Sequence, residues 1–307
     1  MENGGIMTAP SATHDQLYKF IFDDLDVRGE IVQIHDAYAT MIKGKNYPRS
    51  IEKILAQLVL VSNLITVNMK TPGDVTVEIR GEGLLRYAAV SSDMNLNFRG
   101  IARHGISDPD KEYSFRELVG ENSILLITNH ASDGNSYQGV VEVTGFNLSD
   151  TLENYFARSE QIDTKIMVEI DVKAGECFGA AIMLQALPPS SQERDPKEDF
   201  NTVRCLLNTL TKEELLYLDS DEVLFRLFNE FAIRRFDAMP VSFKCACSRE
   251  KCLTTLHSMG EADIRSALGE SEDNVIIMTC SQCNAQYKFA TQDIDDLFSD
   301  DGEQPRQ

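Results

Sequence analysis

Positive charge is what this sequence is short of. Its 307 residues carry 29 Lys and Arg against 49 Asp and Glu, a formal net charge of −20. Phosphate contacts need a basic surface, so this balance argues against a nucleic-acid partner and against binding to anionic membranes. Long apolar runs are missing as well. The longest, residues 54–67, is interrupted by Gln57, Ser62 and Asn63 and is too short to span a bilayer. Residues 1–10 have neither the basic segment nor the apolar stretch of a secretory signal, so a cytoplasmic chain with thiols reduced at rest is expected. His14, His35, His104 and His130 are scattered, without a nucleophile elbow or metal-binding helix beside them, and Gly81-Glu82-Gly83 lacks the further glycine of a phosphate loop. No catalytic constellation emerges, and no enzyme is expected.

What is present is a set of seven cysteines, four of them in two tight pairs: Cys245-Ala-Cys247 and Cys280-Ser-Gln-Cys283. Four thiolates close a tetrahedral zinc site without any ligand from elsewhere. Residues 248–279 lie between the pairs, enough for a helix or two, so the metal would clamp a whole subdomain. The second pair sits between strand-like runs at 275–279 and 284–289, and a Cys-x-x-Cys at a hairpin tip points both sulfurs to one side. Thiolate is also the form that oxidants attack. Such a site is either an inert clamp or a switch that oxidation springs, and spacing leaves both open. Cys252 and His257 stand close by, as ordinary helix residues or substitute ligands, while Cys177 and Cys205, alone in apolar surroundings, read as small core residues.

The length, and a hydrophobic content of 42%, allow a sizeable core in more than one part. Pro48 opens an amphipathic helical pattern at Ile51, Ile54, Leu55 and Leu58. Val75, Val77 and Ile79 alternate with polar residues as a half-buried strand. Further strand-like runs cover 84–90, 96–102, 124–128, 137–143, 165–172 and 178–187, the last two joined by a turn at 173–176, with one clear helix near 150–161. Strands joined by short turns favour an antiparallel sheet. The polar, proline-punctuated stretch 188–199 is a linker, followed by helices whose starts, Thr211 with Glu214 and Asp219 with Glu222, are spaced as capping boxes. Their apolar residues, Leu215 to Phe231, must pack on something. Ser248 is placed to cap a helix through Leu256, Glu261 to Leu268 reads as a helix stopped by Gly269, and a short helix at 293–298 precedes an acidic tail at 299–303. The fold class expected is therefore α+β: an antiparallel-sheet core domain with packing helices (1–190), a helical linker (191–240), and a small C-terminal zinc-binding α+β subdomain (241–307).

Around the cysteines stand Phe243-Lys244-Cys245-Ala246-Cys247-Ser248-Arg249-Glu250 and Thr279-Cys280-Ser281-Gln282-Cys283-Asn284. Elsewhere come Asp26-Val27-Arg28-Gly29-Glu30, Asn97-Phe98-Arg99-Gly100-Ile101-Ala102-Arg103, Tyr137-Gln138-Gly139-Val140-Val141, Tyr155-Phe156-Ala157-Arg158-Ser159-Glu160-Gln161 and the run from Gly179 to Gln185. In this order the strings closely resemble the 33 kDa chaperonin family, the redox-regulated heat-shock holdases, almost end to end. Two departures, Asn229 where the family often has His and Phe200 where it often has Trp, touch no thiol.

The resemblance implies an ATP-independent chaperone that binds unfolded or partly folded client proteins under oxidative stress. It implies one zinc per chain held by Cys245, Cys247, Cys280 and Cys283 in the reduced state, and Cys245–Cys247 and Cys280–Cys283 disulfides with metal release on oxidation. Cys252 is then a possible accessory thiol. A monomer is expected when reduced and a homodimer when oxidised. Two other readings stay open: a zinc-ribbon module of the translation machinery, which would want a basic face, and a thiol–disulfide oxidoreductase using Cys280 and Cys283.

Overall fold

The structure, a computed structural model, describes residues 14–144, 146–173, 176–191, 195–271 and 273–299. The expected turn at 173–176, the linker at 188–199 and the tail at 299–303 thus lie partly outside the described residues. The chain forms two compact units, Met1–Lys244 and Cys245–Gln307.

In chain order the first unit runs β1 (Gln16–Phe22), β2 (Val27–Ile34), α1 (Asp36–Ile42), α2 (Arg49–Thr66), β3 (Gly73–Arg80), β4 (Leu85–Ser92), β5 (Asn97–His104), α3 (Phe115–Val119), β6 (Ile124–Ala131), β7 (Ser136–Glu142) and α4 (Leu148–Tyr155). A π-helical turn at Phe156–Glu160 leads to β8 (Thr164–Lys173) and β9 (Glu176–Ala186), then α5 (Pro196–Leu207), α6 (Lys212–Tyr217), α7 (Ser220–Phe228), β10 (Ile233–Arg235), β11 (Met239–Pro240) and β12 (Ser242–Phe243). One six-stranded sheet has the order β10-β1-β2-β9-β8 with β11 also on β1; the other has the order β12-β5-β4-β3-β6-β7. All pairings are antiparallel except that of β12, which adds to β5 in parallel through Ser242 opposite Asn97.

Helix α2 lies between the sheets. Its Leu55, Leu58 and Val59 share one core with Val32 and Met183 of the first sheet and with Val75, Val90 and Phe98 of the second. The amphipathic pattern expected after Pro48 is therefore wider than one face, because both sides of the helix meet apolar strands. Its buried polar residues are satisfied: Asn63 donates from Nδ2 to the Val59 carbonyl at 2.8 Å and accepts the Ser92 hydroxyl at 2.7 Å.

The outer face of the first sheet carries a second core. Phe20, Phe22, Val27, Ile31, Ile182 and Leu184 are buried there against Phe200, Val203, Leu215, Leu224, Leu227 and Phe228 of α5 to α7. Gln33 of β2 donates to the carbonyls of Leu215 (3.1 Å) and Leu218 (2.9 Å), pinning the junction of α6 and α7 to the strand. Thr211 and Glu214 form the anticipated capping box; Asp219 instead caps α7 by accepting from the Asp221 N–H at 2.8 Å. The stretch 191–240 is not helical throughout, since β10 and β11 both pair with β1.

Several expectations change. β1 and β2 were not visible in the sequence pattern, and α1 and α3 join the expected helices of the sheet region. Cys177 is buried as expected, and burial pushes its thiol up to about 12. Cys205 is not a core residue: it lies exposed on α5, whose buried face is Phe200, Val203 and Leu207.

The second unit comprises α8 (Arg249–Met259), α9 (Glu261–Glu270), the hairpin β13 (Val275–Thr279) and β14 (Gln286–Ala290), and α10 (Thr291–Ser299). Ser248 caps α8 by accepting the Lys251 N–H at 3.2 Å. Gly269 does not stop α9; it lies inside the last turn, and the bend between α8 and α9 falls at Gly260, whose φ of +94° suits a residue without Cβ. Among the described residues, Leu256, Ile264, Leu268, Phe289 and Ile294 are the buried hydrophobic core of this unit, with Leu253, Ile276, Met278 and Leu297 packed half-buried around them. That is small for an independent domain, and such units usually need a metal or disulfide. Among the described residues no helix is long and apolar enough to cross a membrane.

Candidate metal centre

The β13–β14 hairpin turns through Cys280-Ser281-Gln282-Cys283. The Cys280 N–H donates to the Ala285 carbonyl at 2.8 Å and the Asn284 N–H to the Cys280 carbonyl at 2.9 Å, with Asn284 at a left-handed φ of +59°. This tight turn aims backbone N–H groups of Gln282 and Cys283 at the Cys280 sulfur and that of Ala285 at the Cys283 sulfur. Donors of this kind steady thiolate charge, as expected of the shell around a metal ligand.

Cys245 and Cys247 precede α8 and complete the group. One sulfur from each of Cys245, Cys247, Cys280 and Cys283 lies within 4.8 Å of the others. The crosswise approaches are 3.6 Å for Cys245 to Cys280 and 3.4 Å for Cys247 to Cys283. Sulfurs at about 2.3 Å from a tetrahedral zinc stand about 3.8 Å apart, so the set fits that ion. The donor chemistry agrees, since four negative sulfurs this close repel one another unless a cation sits among them.

The thiols are unequal. Partial burial pushes the Cys280 thiol up, but the N–H groups of Gln282 and Cys283 outweigh it and bring it down to about 7. Burial pushes Cys245 and Cys283 up. Tyr287, on β14 opposite Met278, donates its hydroxyl to the Cys247 sulfur at 3.1 Å, which holds the phenol proton on well above its usual range. The cysteine spacing carries no hint of Tyr287; its signal lay in the hairpin register. Arg249 locks the neighbourhood by donating to the Lys288 carbonyl (2.7 Å) and to Asp293 (2.6 Å) while stacking over Phe289.

The two spare candidates stand outside the group. His257 stacks on Phe298 with ring centroids 5.4 Å apart. Cys252 packs against the small core; burial, then the neighbouring Cys247, raises its thiol.

A sequence model described as Hsp33 protein matches residues 15–290. The chain belongs to the Hsp33 family. Among its relatives, the 33 kDa chaperonin of Aeromonas salmonicida is 35% identical over 288 residues, covering 94% of this chain and 96% of that protein. The 33 kDa chaperonin of Escherichia coli is 34% identical over 284 residues, covering 92% and 95% respectively. A solved structure of the 33 kDa chaperonin (heat shock protein 33 homologue) from Thermotoga maritima superposes with a TM-score of 0.80 at 18% identity, covering 94% of this chain and 99% of that one, which shows the shared fold. Hsp33 is a chaperone family and not an enzyme class, and the group of four cysteines fits redox chemistry and zinc binding.

Proposed function

We propose that this Hsp33 chain is an ATP-independent holdase under redox control in the cytoplasm. Reduced, Cys245, Cys247, Cys280 and Cys283 hold one zinc ion as four thiolates. Under oxidative stress Cys245 joins Cys247 and Cys280 joins Cys283. Each new S–S bond gives two electrons to a peroxide or hypochlorite, and the sulfurs lose their capacity to hold the metal. The observation that carries this reading is the gathering of the four sulfurs within 4.8 Å of one another in a unit whose described residues form only a small buried core.

The division of labour we assign is a chaperone core at 1–190, a redox-labile linker at 191–240 and the switch at 241–307. Helices α5 to α7 cover apolar residues on the outer face of the first sheet, and we infer that losing the metal loosens this cover and bares a surface for unfolded clients and a second copy of the chain. The protein is then a monomer when reduced and a homodimer when oxidised, with no nucleic-acid or membrane partner. Aggregation of an unfolded reporter, followed with reduced zinc-loaded and oxidised protein side by side, tests this. Suppression by the oxidised form alone is expected; equal suppression by both removes the redox control.

One observation favours a second reading. The backbone N–H groups of Gln282 and Cys283 converge on the Cys280 sulfur and favour its thiolate, as at the attacking thiol of an oxidoreductase. Catalytic turnover of a disulfide substrate would support that role, and strictly stoichiometric protection would exclude it. A zinc-ribbon role in translation finds no such support.

A further inference from the structure

Each of the four sulfurs in the metal centre meets a donor, and one of these donors differs in kind. Backbone N–H groups serve three of the sulfurs: that of Cys247 is aimed at Cys245, those of Gln282 and Cys283 at Cys280, and that of Ala285 at Cys283. Donors of this sort come with the turn and persist whatever side chain stands there. The Cys247 sulfur takes a donor from a side chain, the Tyr287 hydroxyl, at 3.1 Å.

Two features hold this pair together. The Tyr287 ring is half-buried and packs against the core of the second unit, on the same face of β14 as Phe289, which is wholly buried. Arg249 follows Cys247 closely in the chain and donates to the Lys288 carbonyl at 2.7 Å and to Asp293 at 2.6 Å. The segment that carries Cys247 is thereby clamped to the strand that carries Tyr287, and the hydroxyl reaches the sulfur from an anchored ring.

A hydrogen bond to a thiolate is charge-assisted, and it engages a lone pair that would otherwise attack an electrophile. Partners behind a metal ligand also fix its orientation and raise its affinity. Attack of the Cys247 thiolate on hydrogen peroxide forms an S–O bond, breaks the O–O bond and releases hydroxide. The Cys245 thiolate then forms the S–S bond by displacing a second hydroxide from that sulfur, so two electrons have passed to the peroxide. The Tyr287 O–H competes for the electron pair that makes the first of these bonds.

We propose that Tyr287 is a positioning residue for the redox switch: its hydroxyl holds Cys247 in place as a metal ligand and slows the attack of that sulfur on oxidants, so that it sets the threshold of the switch. This role rests on the four-thiolate reading given above.

The test compares zinc-loaded, reduced, full-length wild type with Tyr287→Phe, which loses one oxygen and keeps the ring in the core. Competition with a chromophoric chelator should show zinc binding about tenfold weaker in the variant. Labelling with substoichiometric iodoacetamide, read by peptide mass spectrometry, should show Cys247 reacting about tenfold faster and Cys283 unchanged. Loosened packing would speed all four sulfurs alike, so uniform acceleration overturns the role. Wild type that binds one zinc and is matched by Tyr287→Phe in both affinity and labelling overturns the role alone. Wild type that binds no zinc overturns the four-thiolate reading and the role with it.

Discussion

Lys19 and Glu30 stand directly opposite each other on β1 and β2, yet they are not hydrogen-bonded: the lysine reaches the Val67 carbonyl at 3.0 Å instead. Glu30 is fully buried and neither carboxylate oxygen has a hydrogen-bond partner among the described residues. Burial pushes its carboxyl up to about 7, against the opposing influence of Arg28, Asn68 and Lys19.

Linkage turns this into a pH dependence of stability. The unfolded carboxyl ionises near 4.5 and the folded one near 7, so between those values the folded chain holds a proton that the unfolded chain has released. The contribution is full below pH 4.5 and is lost as pH rises through 7, a change of about 3 kcal/mol. Glu30→Gln, neutral at every pH, should remove this slope from urea denaturation curves taken between pH 5 and 8. An unchanged slope in the variant would assign the effect to another group.

Metal removal should melt the second unit. Structural zinc contributes on the order of 10 kcal/mol to domains of this size, far beyond what the small buried core among its described residues supplies. Each of Cys245→Ser, Cys247→Ser, Cys280→Ser and Cys283→Ser should lose most of the bound metal in elemental analysis. Full retention in any one of them would break the four-thiolate assignment.

Peptide mapping after peroxide treatment should show Cys245–Cys247 and Cys280–Cys283 bridges, since short loops close fastest. The crosswise sulfur approaches of 3.6 and 3.4 Å make Cys245–Cys280 and Cys247–Cys283 the competing outcome. Cys252→Ser should leave the pattern unaltered; a pattern that changes would make Cys252 part of the switch.

Phe228 on α7 is 1% exposed and meets Phe22 edge-on at 5.1 Å. Truncating it to Ala should cost about 3–5 kcal/mol, most of it in the docking of α5 to α7. If these helices are the cover, reduced Phe228→Ala protein should suppress aggregation without oxidation, and hydrogen exchange should show protection lost after residue 195 but kept in β2 and β9. Full activation with these helices still protected would place the client surface elsewhere.

The gathering of Cys245, Cys247, Cys280 and Cys283 was the most legible feature of the sequence, because residues meant to meet in pairs leave their mark directly as spacing. Caps were legible for a similar reason: Thr211 and Glu214, or Ser248, act over three residues. β2 was not, because Glu30 and Gln33 are polar yet buried with Val27, Ile31 and Val32, so the strand is covered on both faces and its polar residues do not mark a solvent side. Cys205 was misplaced by reading apolar neighbours instead of period: Phe200, Val203 and Leu207 set a helical face that residue 205 does not share.

Strand β1 takes β2 on one side and both β10 and β11 on the other, so Phe20 finds its partner Arg235 only when more than two-thirds of the chain has been made. During synthesis the first sheet therefore waits, with Gln16–Phe22 as an open margin able to pair with a neighbouring nascent chain. The last strand to leave the ribosome in this sheet, β11, is one of the two that seal the first, and only β12 stands between it and the first cysteine.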